Sequence, residues 1–184
     1  EDRFIPEVGF LRRDNFRLNS ASARFSPRPE SIDLIRRFVV LGSFDHIAAA
    51  AGGELETREA QLLVESEFES SDQLSFFFND HYELLTSPFT ISPGVTLPIG
   101  GYDFRNFRAS YRFGAQRPLS GRITIQTGGF WSGDNTALSL ESGRIEVTPQ
   151  FSLEPSVSLN WVDLPEGSFT TQLARARFTY TFTP

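Results

Sequence analysis

The chain has 184 residues, 39% hydrophobic and 22% charged, with a net charge of −6 at pH 7, a length that suits one sizeable domain with its own core. The absence of cysteine excludes a disulfide framework, a thiolate nucleophile and any cysteine-ligated zinc or iron–sulfur site. An acidic balance with no basic stripe between stacking aromatics argues against nucleic acid as a partner. The richest apolar runs, FVVLG at Phe38–Gly42 and IAAAAGG at Ile47–Gly53, fall far short of the roughly 20 residues of a membrane helix.

What remains is a β-rich chain. Phe supplies 19 residues against two Trp and four Tyr, and Gly, Ser, Thr, Asn and Asp punctuate short apolar segments. Period-two matching predicts roughly nine strands. The first two, Phe16–Ser26 and Leu34–Ile47, mix apolar and polar residues on both faces. Glu54–Glu69 alternates more clearly: Ala60, Leu62, Val64 and Phe68 share one face, Glu59, Gln61, Glu65 and Glu67 the other, with Leu63 the apolar intruder. Asp72–His81 presents Leu74, Phe76 and Phe78 together.

Residues 84–101 hold Pro88, Pro93, Pro98 and the pair Gly100–Gly101, too rich in proline for a helix or central strand. They read as a long loop, a plug segment or a cap. Tyr102–Ala115 then sets Phe107, Ala109, Tyr111 and Phe113 against Asn106, Arg108, Ser110 and Arg112, and Ala137–Thr148 is another mixed strand. Phe151–Asp163 alternates over more than ten residues, although Pro155 cannot donate to a ladder. The final strand, Phe169–Phe182, places Ala174, Ala176, Phe178 and Tyr180 opposite Arg175, Arg177, Thr179 and Thr181. Turn formers separate the strands at SPRPES (Ser26–Ser31), GG (Gly52–Gly53), SS (Ser70–Ser71), QRPLSG (Gln116–Gly121), SGDN (Ser132–Asn135) and PEG (Pro165–Gly167).

The expected fold is therefore all-β, an antiparallel meander of long strands that forms part of either a membrane β-barrel or a soluble β-sandwich. Both architectures use alternating faces, but strands longer than the usual 5–6 residues favour the barrel. The beginning at Glu1, without Met or a signal segment, and the end at Pro184 directly after a strand lead us to expect an internal piece of a longer chain.

Several segments resemble a bacterial family of unknown function in which a carbohydrate-binding family 9-like domain precedes a large C-terminal region predicted to be an outer-membrane β-barrel. They are RFIPEVGFLRRDNFR at Arg3–Arg17, RFSPRPE at Arg24–Glu30 with IRRF at Ile35–Phe38, ELLTSPFTISPGVTLPIGGY at Glu83–Tyr102, SGRITIQTGGFWSG at Ser120–Gly133 and NWVDLPEGSFTTQLARARFTYTFTP at Asn160–Pro184. The resemblance is to the C-terminal region and spans nearly the whole chain. It implies a bacterial outer-membrane location, with the periplasm or secretion as the alternative, outer-membrane lipid as a partner, and carbohydrate bound only through a domain outside these residues. It transfers no catalytic residue.

Candidate sites follow from the faces. Glu65, Glu67, Arg108, Arg112, Glu146, Arg175 and Arg177 are expected on a polar interior face, where the arginines would meet Glu65–Glu67 or Glu146 in a salt-bridge network. Tyr102, Phe130, Trp131, Trp161 and Phe169 lie near strand ends, where aromatic rings anchor a barrel at headgroup level, although ordinary packing accounts for them equally. Carboxylates two apart on a strand, about 7 Å, suit inverting glycosidase chemistry, which makes Glu65 and Glu67 the basis of a distant hydrolase reading. A zinc site would need His46 and His81 with a third ligand from Asp45, Asp80 or Glu83. Neither a phosphate loop nor a nucleophile elbow is present, and no catalytic residue, metal or cofactor is expected. An isolated open sheet in lipid leaves two edges, so other chains of a larger assembly are a further expected partner.

Overall fold

The structure is a computed structural model that describes residues 15–117 and 119–182, with the backbone alone at residues 142 and 147. The PEVGF segment and Pro184, which carry part of the family resemblance, lie outside the described residues. Eleven strands and no helix occur among those described: β1 (Phe16–Phe25), β2 (Ile35–Ala49), β3 (Leu55–Phe68), β4 (Gln73–Leu85), β5 (Phe89–Ser92), β6 (Val95–Leu97), β7 (Gly100–Phe113), β8 (Leu119–Phe130), β9 (Gly133–Thr148), β10 (Phe151–Leu164) and β11 (Gly167–Tyr180).

Nine of them form one antiparallel sheet in the order β1-β2-β3-β4-β7-β8-β9-β10-β11, while β5 and β6 pair as a separate hairpin. The meander follows from short connections, such as the two-residue turns at 131–132 and 165–166, which leave a following strand nowhere to go but alongside its predecessor. Main-sheet strands run from 10 to 16 residues, longer than globular strands usually are and long enough for a bilayer. The edges β1 and β11 are each paired on one side only among the described residues, so the sheet is curled but not closed. A flat sheet would hold β3 and β10 five strand spacings apart, about 24 Å. Here Glu65 of β3 and Ser158 of β10 line the same cavity of about 570 Å³.

Cross-strand register sorts the side chains. One face carries Leu62, Phe78 and Phe107 in one row and Val64, Phe76, Ala109, Ile125, Leu138 and Leu159 in another, with Phe44 on the same face opposite Ala60. The opposite, concave face carries Glu65, Ser75, Ser110, Thr124, Ser139 and Ser158 in register. Exposure is the reverse of a water-soluble sheet: Phe76, Phe107 and Ile125 are 54%, 57% and 53% exposed, whereas Asn79, Ser110 and Asn135 are buried. Seven hydrophobic side chains are buried among the described residues, and five of these belong to one cluster under the β5–β6 hairpin. Among the described residues no second layer covers the apolar face.

Three sequence expectations change. Residues 84–101 are not a plain loop: β4 runs on to Leu85, the β5–β6 hairpin follows, and β7 starts at Gly100. The SGDN turn is shorter than expected, because β9 begins at Gly133. Pro155 is accommodated in β10 where the β9 register breaks between Leu153 and Val157, so its missing donor interrupts no continuous ladder.

Candidate functional site: the concave polar face and its plugged end

All seven residues expected inside do share the concave face: Glu65 and Glu67 from β3, Arg108 and Arg112 from β7, Glu146 opposite Ser152, and Arg175 and Arg177 opposite Ser156 and Glu154. The expected network between them does not form among the described residues. Glu67 pairs instead with Arg37 at 2.7 Å and Arg36 at 3.2 Å, Arg177 with Glu154 at 3.6 Å, and Glu146 with its own-strand neighbour Arg144 at 3.1 Å. The reason is reach. Directly opposed or diagonal residues on adjacent strands are within about 4.5–8 Å at Cβ, and β2 and β10 place opposite charges there, whereas β7 lies beyond β4 from β3. Arg108 donates from Nε to Gln126 Oε1 at 3.1 Å and lies over the Phe77 ring at 5.2 Å.

Farther along the concave face the lining turns to amides and then to His81, whose Nδ1 and Nε2 lie 3.5 Å from Glu59 and Glu83. Glu83 Oε2 also accepts from Thr57 Oγ1 at 2.7 Å. His46 stands on the apolar face in register with Arg58 and Tyr82, so the two histidines point to opposite sides of the sheet. They cannot share a metal, and no group of three or more metal-ligating side chains occurs among the described residues.

At the end beyond His81 the concave face is filled. Tyr102, Phe104, Phe130, Val162, Leu164 and Phe169 face inward from β7, β8, β10 and β11, and the hairpin lays Val95 and the fully buried Leu97 against them. Tyr102 Oη donates to the Pro98 carbonyl at 2.7 Å, fastening the hairpin's exit. Trp131 joins through Phe89, Tyr102 and Phe104, with ring centroids 5.7, 5.4 and 5.8 Å away. The five aromatics expected as interfacial anchors or as ordinary packing therefore separate. Tyr102, Phe130, Trp131 and Phe169 form the plug's seat, and Trp161, 43% exposed beside Thr136 and Thr170, stands on the apolar face.

The apolar face also ends in charge. Arg58 Nη2 contacts Asp80 and Asp103, each at 3.0 Å, and Arg105 Nε contacts Asp80 at 2.6 Å. Asp80 and Arg105 stand in the row after Phe78 and Phe107, level with Ala60, and Arg58 and Asp103 stand one row farther on, either side of Tyr82, where an apolar belt would give way to water. Sequence reading named Asp80 only as a possible zinc ligand and missed the cluster, because the paired acids and bases lie on different strands and only the register brings them together.

The opposite end of the sheet is tied by Asp72 in the β3–β4 turn. Its Oδ1 accepts from the Gly114 N–H at 2.7 Å and its Oδ2 from Tyr111 Oη at 2.9 Å, with Arg117 Nη2 at 2.6 Å. Burial pushes its carboxyl up, but the hydrogen bonds from Gly114, Tyr111 and Ser70 and the charge of Arg117 outweigh burial and hold it below the ordinary aspartate value.

No family model, no curated protein and no solved structure matches the chain.

Proposed function

We propose that this chain is the wall of a transmembrane β-barrel in a bacterial outer membrane, with a transport or structural role, its concave polar face enclosing a lumen that the β5–β6 hairpin narrows at one end. The observation that carries the reading is the inverted distribution of side chains: half-exposed Phe76, Phe107 and Ile125 on one face, buried Asn79, Ser110 and Asn135 on the other. Lipid removes the penalty on the first group, since hydrocarbon replaces water around the rings, and an aqueous lumen satisfies the second. The outward-facing Arg58–Asp80–Arg105–Asp103 cluster, at the margin of the apolar rows, suits the headgroup level.

The test is folding from urea into detergent micelles or lipid vesicles, read by gel mobility with and without heating. A heat-dependent shift with membrane partition supports the barrel. A chain that is folded and monomeric in buffer without detergent overturns it, and then the apolar face must be covered by protein.

A further inference from the structure

Arg112 on β7 and Arg122 on β8 are register partners on the concave face, with Arg108 two inward-facing positions along β7. Like charges directly opposite across an antiparallel pair destabilise it. Among the described residues neither Arg112 nor Arg122 has a carboxylate within ion-pairing distance. The register partner of Arg122 on β9 is Glu141, but its Oε1 accepts from Ser139 Oγ at 3.2 Å. Arg108 is oriented by Gln126 and Phe77 through Nε and its ring-facing side, with its terminal nitrogens unengaged.

These groups adjoin a prepared space. Arg108 and Arg122 line the cavity of about 570 Å³ together with the hydroxyls of Ser110, Thr124 and Ser139, and Ser110 Oγ and Thr124 Oγ1 are 3.0 Å apart. Guanidinium forks and hydroxyl donors are the groups that recognise tetrahedral oxyanions, through paired, charge-assisted hydrogen bonds. We propose that Arg108, Arg112 and Arg122 form an oxyanion-binding station on the concave face, taking a phosphate- or sulfate-like group. Glu65 and Glu141 also line the cavity and confine the anion to the arginine side, which selects a small oxyanion over an extended polyanion. An anion seated there converts a repulsive pair into a shared bridge. The assignment of this site to a transport lumen rests on the barrel reading above; the site itself rests on the sheet.

The experiment measures thermal unfolding midpoints of the full chain in detergent micelles, in sodium chloride and in sodium phosphate of matched ionic strength. Wild type, Arg122→Gln, Arg112→Gln and, as a distant control, Arg177→Gln are compared. Phosphate is expected to raise the midpoint of wild type and Arg177→Gln saturably. Either glutamine at 112 or 122 is expected to raise the midpoint in chloride, by removing the repulsion, and to abolish the phosphate response. No response in wild type, or the same response in Arg122→Gln and Arg112→Gln, overturns the station. The heat-dependent gel shift, read on the same samples, reports the barrel separately: a site that survives without the shift overturns the lumen alone.

Discussion

The indole of Trp131 meets the ring of Tyr102 edge-on, with centroids 5.4 Å apart and planes at 81°, and it does so from a backbone conformation that tryptophan rarely adopts. Trp131 has φ 54° at the first position of the two-residue β8–β9 turn, where glycine is the usual occupant. Left-handed φ costs a non-glycine residue about 1–2 kcal/mol, so the packing of the indole on Phe89, Tyr102 and Phe104 must exceed that. Replacement by alanine keeps the strain and loses the packing, and replacement by glycine loses both. Trp131→Ala is expected to destabilise the protein by about 2 kcal/mol or more, and Trp131→Gly by about 1 kcal/mol less than alanine. Urea unfolding of the two variants in the same detergent checks the order. A glycine variant less stable than the alanine variant sinks the strain argument.

The hairpin is held by burial, since Leu97 is fully enclosed and Val95 nearly so. Truncating a side chain in that position leaves a cavity, and Leu→Ala changes of this kind cost about 2–5 kcal/mol. The loss falls on the hairpin's docking rather than on the nine-strand sheet, because among the described residues β5 and β6 pair only with each other. Leu97→Ala is therefore expected to make the Pro93–Gly94 tip open to limited proteolysis while the heat-dependent gel shift persists. Simultaneous loss of both would show that the plug is required for the sheet to curl.

Leu138 and Ser139 are neighbours on β9 that face opposite sides, Leu138 between Ile125 and Leu159, Ser139 between Thr124 and Ser158. Arginine at a lipid-facing barrel position costs about 2–4 kcal/mol near the bilayer centre, whereas an exposed substitution in water usually stays within about 0.5 kcal/mol. Leu138→Arg is expected to weaken folding into vesicles by that larger amount. Ser139→Arg, set in a cavity where Glu141 and Glu65 offset Arg108 and Arg122, should cost clearly less than Leu138→Arg. Equal, small effects at both positions would mean that water, not lipid, bathes the apolar face.

Alternation made several strands and their faces legible in advance, because period two is a local property: Phe107, Ala109 and Tyr111 against Arg108, Ser110 and Arg112 can be read without a partner strand, whereas β8, whose first residues Leu119–Gly121 read as part of a turn, was not named. What alternation cannot supply is register. The Arg112–Arg122 opposition, the Arg58–Asp80–Arg105 cluster and the rerouting of Glu67 to Arg37 each depend on which residue stands across the sheet. The β5–β6 hairpin was hidden differently, in a stretch that reads equally as a loop, a plug segment or a cap. Pro88, Pro93 and Pro98 forbid a long strand but allow β5 and β6, four and three residues long, to form between them, and their docking makes buried Tyr102 and partly buried Phe130 and Phe169 the seat of the hairpin.

The carboxylate of Asp72 joins the β3–β4 turn to the β7–β8 turn through Gly114, Tyr111 and Arg117, and its protonation should loosen that end of the sheet. Its carboxyl is held below the ordinary value in the folded state, so the folded protein binds this proton less readily than the unfolded chain does. The stabilisation is then present above the unfolded value, about 4, and is lost as pH falls through the lower folded value. Asp72→Asn keeps the shape but gives up the charge, one acceptor and the Arg117 pairing. Hydrogen bonds to a charged group contribute about 1.5–3 kcal/mol, and a loss of that order is expected at pH 7. The gap between wild type and Asp72→Asn should narrow steadily below pH 4, measured as the urea midpoint at each pH. A gap that stays constant down to pH 2 would mean that the charge contributes nothing and that Asp72 holds the turns by shape alone.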